Sequence, residues 1–96
     1  MKQRSFDFIQ DPGHGWIKVS MSFLAELFGP NWRAKFTPCS YERGSFVYLE
    51  EDRDASMFVN RLKELEITFK FRDRSCNERM SRIRNYSPLQ PRHGVN

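Results

Sequence analysis

The sequence lacks most of the features that announce an activity directly. It has only two cysteines, Cys39 and Cys76, far apart and outside any zinc or redox spacing, so neither a disulfide framework nor a metal ribbon organises it. No apolar run approaches membrane-spanning length, and the opening MKQRSFDF has no apolar centre of the kind a signal peptide needs. Both absences point to a cytoplasmic chain whose thiols stay reduced and structural. Glycine is scarce too, and Gly13 and Gly15 do not form a phosphate loop, because no glycine-lysine pair opens a helix after them. His14 has no serine, cysteine or carboxylate placed in sequence to complete a triad. No cofactor is therefore expected, and the chain reads as non-enzymatic.

What is present is aromatic and charged. Nine phenylalanines and an aromatic fraction of 15% let a chain of 96 residues form one core, although only 39% of it is hydrophobic and 29% is charged. The organising stretch is Arg43 to Leu65. Phe46, Val47, Tyr48 and Leu49 predict a strand over 45–50, with Val47 and Leu49 on one face and Phe46 and Tyr48 on the other. From Asp54 the apolar spacing becomes Ala55, Phe58, Val59, Leu62 and Leu65, the stripe of a helix with one buried face. The carboxylates Glu50, Glu51, Asp52 and Asp54 resemble an acid/base cluster. At a helix start they are better read as caps and dipole partners, with Asp52 or Asp54 as the N-cap.

Taken in order, Phe6 and Phe8 alternate weakly, with Ile9 out of phase, and suggest an edge strand or a strap across the sheet. Asp11-Pro12-Gly13-His14-Gly15 is a turn. Trp16 to Val19 alternates as a strand with Ile17 and Val19 inward. Ser20 or Ser22 then caps a short helix with the stripe Met21, Leu24, Ala25 and Phe28, closed by Gly29-Pro30. Asn31 to Pro38 reads as a structured loop or irregular strand in which Trp32 and Phe36 alternate with Arg33 and Lys35. Such interleaving can stack on and neutralise single-stranded nucleic acid, or simply anchor a loop with its cations in water. Cys39 to Glu42 forms a hairpin with the Phe46 strand across Arg43-Gly44-Ser45. Glu66 to Arg72 is the cleanest strand pattern, with Ile67, Phe69 and Phe71 facing one way. Residues 77–86 suggest a helical turn or an irregular strand, and 87–96 a flexible tail.

This order predicts an α+β ferredoxin-like βαββαβ fold, a four-stranded antiparallel sheet with two helices on one face, in a single compact domain over 1–86 with a looser start at 1–10. The other face would carry Trp16, Lys18, Phe46, Tyr48, Thr68, Lys70 and Arg72. That surface either binds single-stranded RNA or is covered by the Phe6/Phe8 segment or the arginine-rich C-terminal segment. A chain this small seldom leaves three large aromatics in water, which favours a cover.

Charge is lopsided. Residues 1–69 hold nine Lys or Arg against ten Asp or Glu, whereas 70–96 hold seven against two. Six of those seven cations are arginine, the side chain suited to bidentate phosphate or carboxylate contacts. An anionic partner, nucleic acid or an acidic protein surface, is the expectation. The candidate contact residues are Lys70, Arg72, Arg74, Arg79, Arg82 and Arg84, joined by Trp32, Arg33 and Lys35.

Arg43-Gly44-Ser45-Phe46-Val47-Tyr48 resembles part of the RNA-recognition motif signature, one residue short and with Ser45 where an aromatic is expected. More broadly, the phrases DPGHGWIKV (11–19) and YERGSFVYLEED (41–52), followed by a helix and an arginine-rich end, resemble a family of small accessory proteins of phages, prophages and plasmids. The resemblance covers about residues 6–86. It departs at Arg53, which stands between two aspartates, and in the extended tail, and no functional residues carry over from it. It implies a mobile-element setting in a host bacterial cell, where small single-domain proteins often act by stoichiometric binding, anti-CRISPR inhibitors among them. The expected function is an anti-defence protein that binds a CRISPR effector ribonucleoprotein through its basic C-terminal region and blocks target-DNA binding. The alternative is a sequence-tolerant single-stranded RNA- or DNA-binding protein. A nuclease built on His14 and the Glu50 to Asp54 carboxylates is the minor third reading, because the sequence does not place those groups together.

Overall fold

The computed structural model of the chain describes residues 3–75 and 82–89. Strand β1 (Arg4–Gln10) and strand β2 (Gly15–Ser20) are joined by the expected turn, in which the Asp11 carboxylate accepts the N–H groups of Gly13 and His14, each at 2.9 Å. Helix α1 (Met21–Phe28) starts where the Ser20 hydroxyl accepts the Phe23 N–H at 3.2 Å. It stops at Gly29, whose φ of 88° leaves the helical region without steric cost. After a 3₁₀ turn at Trp32–Lys35 come strands β3 (Tyr41–Arg43) and β4 (Phe46–Glu50), a hairpin across Gly44-Ser45 with Gly44 at φ 60°. Helix α2 (Asp54–Glu64), strand β5 (Phe69–Asp73), a second 3₁₀ turn (Arg82–Asn85) and the short strand β6 (Ser87–Pro88) complete the chain.

The strands form one six-stranded mixed sheet in the order β5-β1-β2-β4-β3-β6. All neighbours are antiparallel except β1 and β5, which run parallel. This corrects the four-stranded antiparallel ferredoxin-like expectation, although both helices do pack on one face. The correction begins with residues 4–10, which are an inner strand rather than a strap. Ile9 breaks the alternation of Phe6 and Phe8 because both faces of β1 are covered. Phe6 and Phe8 pack toward the helices, and Ile9 packs against a second apolar layer. A strand buried on both sides has no clean period-two signature. β5 is consequently pushed to the sheet's edge, and Phe71, expected in the core, is 43% exposed.

The main core joins Phe6, Ile17, Val19, Val47 and Leu49 of the sheet to both helices. Phe58 and Leu62 of α2 are fully buried, and Phe6 meets Phe58 edge-on with ring centroids 5.1 Å apart. In α1 the buried residues are Phe23, Leu24 and Leu27, while Met21, Ala25 and Phe28 of the expected stripe lie at its margin. Ser22 and Glu26, four apart and both exposed, mark the outward face of α1, and the inward side follows as Phe23, Leu24 and Leu27.

Neither Asp52 nor Asp54 caps α2. The N-cap position is Arg53, without a side-chain cap bond, and Asp54 is the first helical residue. Buried there, its carboxylate accepts from the Thr37 N–H, the Thr37 hydroxyl and the Ser40 hydroxyl, tying the 37–40 loop to the helix start. Ser40 also accepts the Glu50 N–H at 2.9 Å, so the loop is fixed to β4 as well. The fold continues past residue 86. Ser87–Pro88 pairs with β3, the Leu89 N–H donates to the Ser40 carbonyl at 2.8 Å, and the Leu89 side chain enters the main core. No helix among the described residues is long and apolar enough to cross a membrane.

α2 ends in a Schellman turn, with the Ile67 N–H on the Leu62 carbonyl and the Glu66 N–H on the Lys63 carbonyl. Glu66 carries the left-handed φ of 58° that this turn requires. Glu66→Gly removes the steric cost of that conformation, and we expect stabilisation of about 0.5–1 kcal/mol. In a domain of this size that raises the melting midpoint by roughly 2–8 °C, read by thermal circular dichroism.

Candidate anion-binding surface

Strand alternation divides the sheet cleanly. The face opposite the helices receives Asp7 and Ile9 from β1, Trp16 and Lys18 from β2, Phe46, Tyr48 and Glu50 from β4, Tyr41 and Arg43 from β3, and Lys70 and Arg72 from β5. Its aromatic centre is not open to solvent. The segment 82–89 lies over it, with Ile83 buried against Trp16 and Tyr48 and with Tyr86 packed beside them. Tyr86 approaches the Tyr48 ring to 5.1 Å between centroids, and the Arg43 guanidinium lies over Tyr86 at 5.0 Å. Burial, reinforced by the neighbouring Tyr86, pushes the Tyr48 phenol pKa upward. Of the two covers expected for this face, the C-terminal segment is the one present. The stacking platform that single-stranded RNA would need is therefore occupied by the protein's own side chains.

The cover is latched by Arg84. Its Nε and Nη2 donate to the two Asp11 oxygens at 2.6 and 2.8 Å, while Asp11 is held by its own turn. Gly13 permits this approach, since a Cβ there would stand 2.7 Å from Arg84 Nη2. Arg84, expected to face a partner, thus serves the fold first.

The other cations divide into two groups. Lys70, Arg72 and Arg74 stand exposed at the β5 side of the same face, and among the described residues the ion-pair partner of the two arginines is Asp7, which lies 2.9 Å from Arg72 Nε and 3.7 Å from Arg74 Nε. Arg82 is exposed on the covering turn and Arg43 on β3. Exposed ion pairs contribute about 0–1 kcal/mol, so Asp7 neither neutralises its three neighbours nor prevents their exchange to a better anion. Trp32, Arg33 and Lys35 do not join this surface. Trp32 is buried in the main core, and Arg33 grips Glu42 through two bonds of 3.0 and 3.1 Å while stacking on Trp32 at 4.6 Å. Lys35 is exposed on its loop. Arg79 lies outside the described residues, as does Cys76, and Cys39 is an exposed free thiol.

Beside the latch, His14, Trp16, Cys39, Tyr41, Glu50, Asp52, Arg53 and Arg84 line a cleft of about 470 Å³. The fold brings His14 Nδ1 to 4.0 Å from Glu50 Oε2, a proximity that the sequence does not reveal. That distance is outside hydrogen-bond range, and no cluster among the described residues has the makings of a metal site. Buried Glu50 has its pKa pushed above the ordinary glutamate value by desolvation, opposed by the Asp52 N–H that it accepts and by His14. The residues missed in sequence are Asp7, Asp11, Ile83 and Tyr86. The three-residue spacing of Ile83 and Tyr86 is a helical-turn signal that, in hindsight, marks the covering face.

No family model, curated protein or solved structure matches this chain.

Two outcomes test this geometry. Arg84→Ala should unlatch the cover, seen as a red shift of tryptophan emission as Trp16 meets water and as faster tryptic cleavage within 82–89, with the helical far-ultraviolet signal retained. Because the folded-state pKa of Glu50 is raised, the folded state holds that proton more tightly. Stability from this group is therefore present at low pH and lost as pH climbs from the ordinary glutamate value of 4.5 through the raised value. Glu50→Gln, which keeps the acceptor for Asp52, should flatten that decline in denaturation midpoints measured across the mildly acidic range.

Proposed function

We propose that this chain is a non-enzymatic binding protein whose basic sheet face docks on an anionic surface. We propose further that, in the mobile-element setting its sequence phrases imply, the target is a host-defence ribonucleoprotein: an anti-CRISPR inhibitor that binds an effector complex and blocks target-DNA binding. The observation that carries the reading is the exposed group Lys70, Arg72 and Arg74, which among the described residues has ion pairs with Asp7 alone, continued by Arg43 and Arg82 on the same side. Arginines on a rigid sheet are prepaid in conformational entropy and match phosphate or carboxylate bidentately. The direct nucleic-acid reading loses support because Trp16 and Tyr48, the centre of the aromatic platform, are buried, and Phe46, the exposed ring on this face, has Lys18 over it.

The test is co-elution with purified CRISPR effector complexes, followed by a target-DNA binding assay. The triple reversal Lys70→Glu, Arg72→Glu, Arg82→Glu should abolish co-elution and restore DNA binding while leaving the melting curve near that of the parent. Affinity should fall steeply with salt, and where the cations meet RNA phosphates the log–log slope should shrink by roughly one for each cation removed. Equal affinity for naked single-stranded oligonucleotides would instead favour the direct nucleic-acid reading. Absence of any salt-sensitive partner would reject both.

A further inference from the structure

Among the described residues β5 ends the sheet on one side, with β1 as its one strand neighbour. The hydrogen-bond phase of this edge can be read directly. The Thr68 carbonyl accepts from the Arg4 N–H at 2.9 Å, and the Arg74 N–H donates to the Phe8 carbonyl at 2.8 Å. Because backbone groups alternate sides along a strand, the even positions 68–74 face β1, and the N–H and C=O groups of Phe69, Phe71 and Asp73 face outward. An edge of this kind is a template for another strand.

The side chains specify which strand. On the helix side, Phe71 is 43% exposed and borders an open groove of about 720 Å³, whose apolar floor is Phe8, Ile17, Ala55 and Val59 and whose polar rim includes Glu51, Lys63 and Asp73. On the opposite side project Lys70, Arg72 and Arg74, whose ion pairs among the described residues are those of the two arginines with Asp7. A second copy of this chain fits poorly. Antiparallel pairing of two β5 strands about a two-fold axis sets lysine or arginine opposite lysine or arginine, which is unfavourable across a ladder. The charge of one sign that disfavours self-pairing favours a strand of the opposite sign.

We propose that β5 is a strand-addition site for an extended acidic segment of a partner protein. Its alternate side chains would be apolar toward the Phe71 and Val59 groove and acidic toward Lys70, Arg72 and Arg74. This deepens the basic-face reading, from which it takes only its charge; the open backbone edge and the apolar groove are independent of it.

A heptapeptide alternating glutamate and valine, capped at both ends, is the probe, with a lysine-valine peptide as control. Hydrogen exchange followed by NMR should show the amides of Phe69, Phe71 and Asp73 slowed by the acidic peptide and unaffected by the basic one. Phe71→Pro removes an outward N–H without touching the β1 ladder, a placement an edge strand tolerates. It should bind the peptide about tenfold more weakly than Phe71→Val does, a loss on the scale of one hydrogen bond, because both variants lose the ring from the groove and only the proline also loses the N–H. Unchanged exchange at the three amides, equal binding by the proline and valine variants, or protection that appears on concentrating the protein alone, the mark of a second copy, would each overturn the proposal. Peptide titration reports on the edge, and the effector co-elution reports on the basic face, so either can fail without the other.

Discussion

The ion pair between Asp11 and Arg84 decides what the second face of this sheet presents to the outside. Asp11 is immobilised by the turn that contains it, accepting two backbone N–H groups before it meets the guanidinium. The bidentate contact then pins a segment far along the chain over Trp16 and Tyr48. With that segment in place, Leu89 reaches the main core around the β3 edge, and Ser40 holds both the Leu89 backbone and the Asp54 carboxylate. A domain of 96 residues has little apolar surface to spare, so covering both sheet faces is how it gathers enough burial to be stable. The charge pair chiefly supplies registry, because ion pairs are modest sources of net stability but costly to break once desolvated.

Closing that face inverts its chemical character. An open sheet would offer aromatic rings to bases, whereas the closed one offers guanidinium groups on a rigid frame. Arg43 spans the Tyr86 ring and Lys18 the Phe46 ring, so aromatics that would otherwise stack on a ligand instead position cations. The basic character thus comes from the fold as well as from composition. β1 pairing in parallel with β5 sets Lys70 and Arg72 level with Ser5 and Asp7, and only one of those two neighbours is acidic.

Much of this was legible in the sequence where a segment has one buried face. The alternation in 46–50, the α2 stripe through Leu62 and the Gly29 stop match because local pattern and tertiary burial agree there, whereas Leu65 of the expected stripe is exposed past the helix end and Arg43 of the expected turn belongs to β3. Segments in contact with two layers were misread. Ile9 looked out of phase because it serves the second layer, and 87–89 looked like a tail because Pro88 and one leucine carry no periodicity. For the candidate surface, the charge asymmetry pointed to Lys70, Arg72 and Arg74, which the fold leaves exposed, yet it could not separate them from Arg84, nor could the aromatic interleaving of 31–38 separate Arg33 from a free cation. What consumes those two are Asp11 and Glu42, residues remote from Arg84 and modestly separated from Arg33, whose proximity only the folded chain creates.

The central claim, that the C-terminal segment seals the aromatic face and leaves a basic exterior, is tested most directly by nuclear Overhauser contacts in solution. The account predicts cross-peaks from the Ile83 methyl groups to the Trp16 indole and from the Tyr86 ring to the Tyr48 ring. Sharp, solvent-accessible Trp16 and Tyr48 signals with no contact to either residue would contradict it.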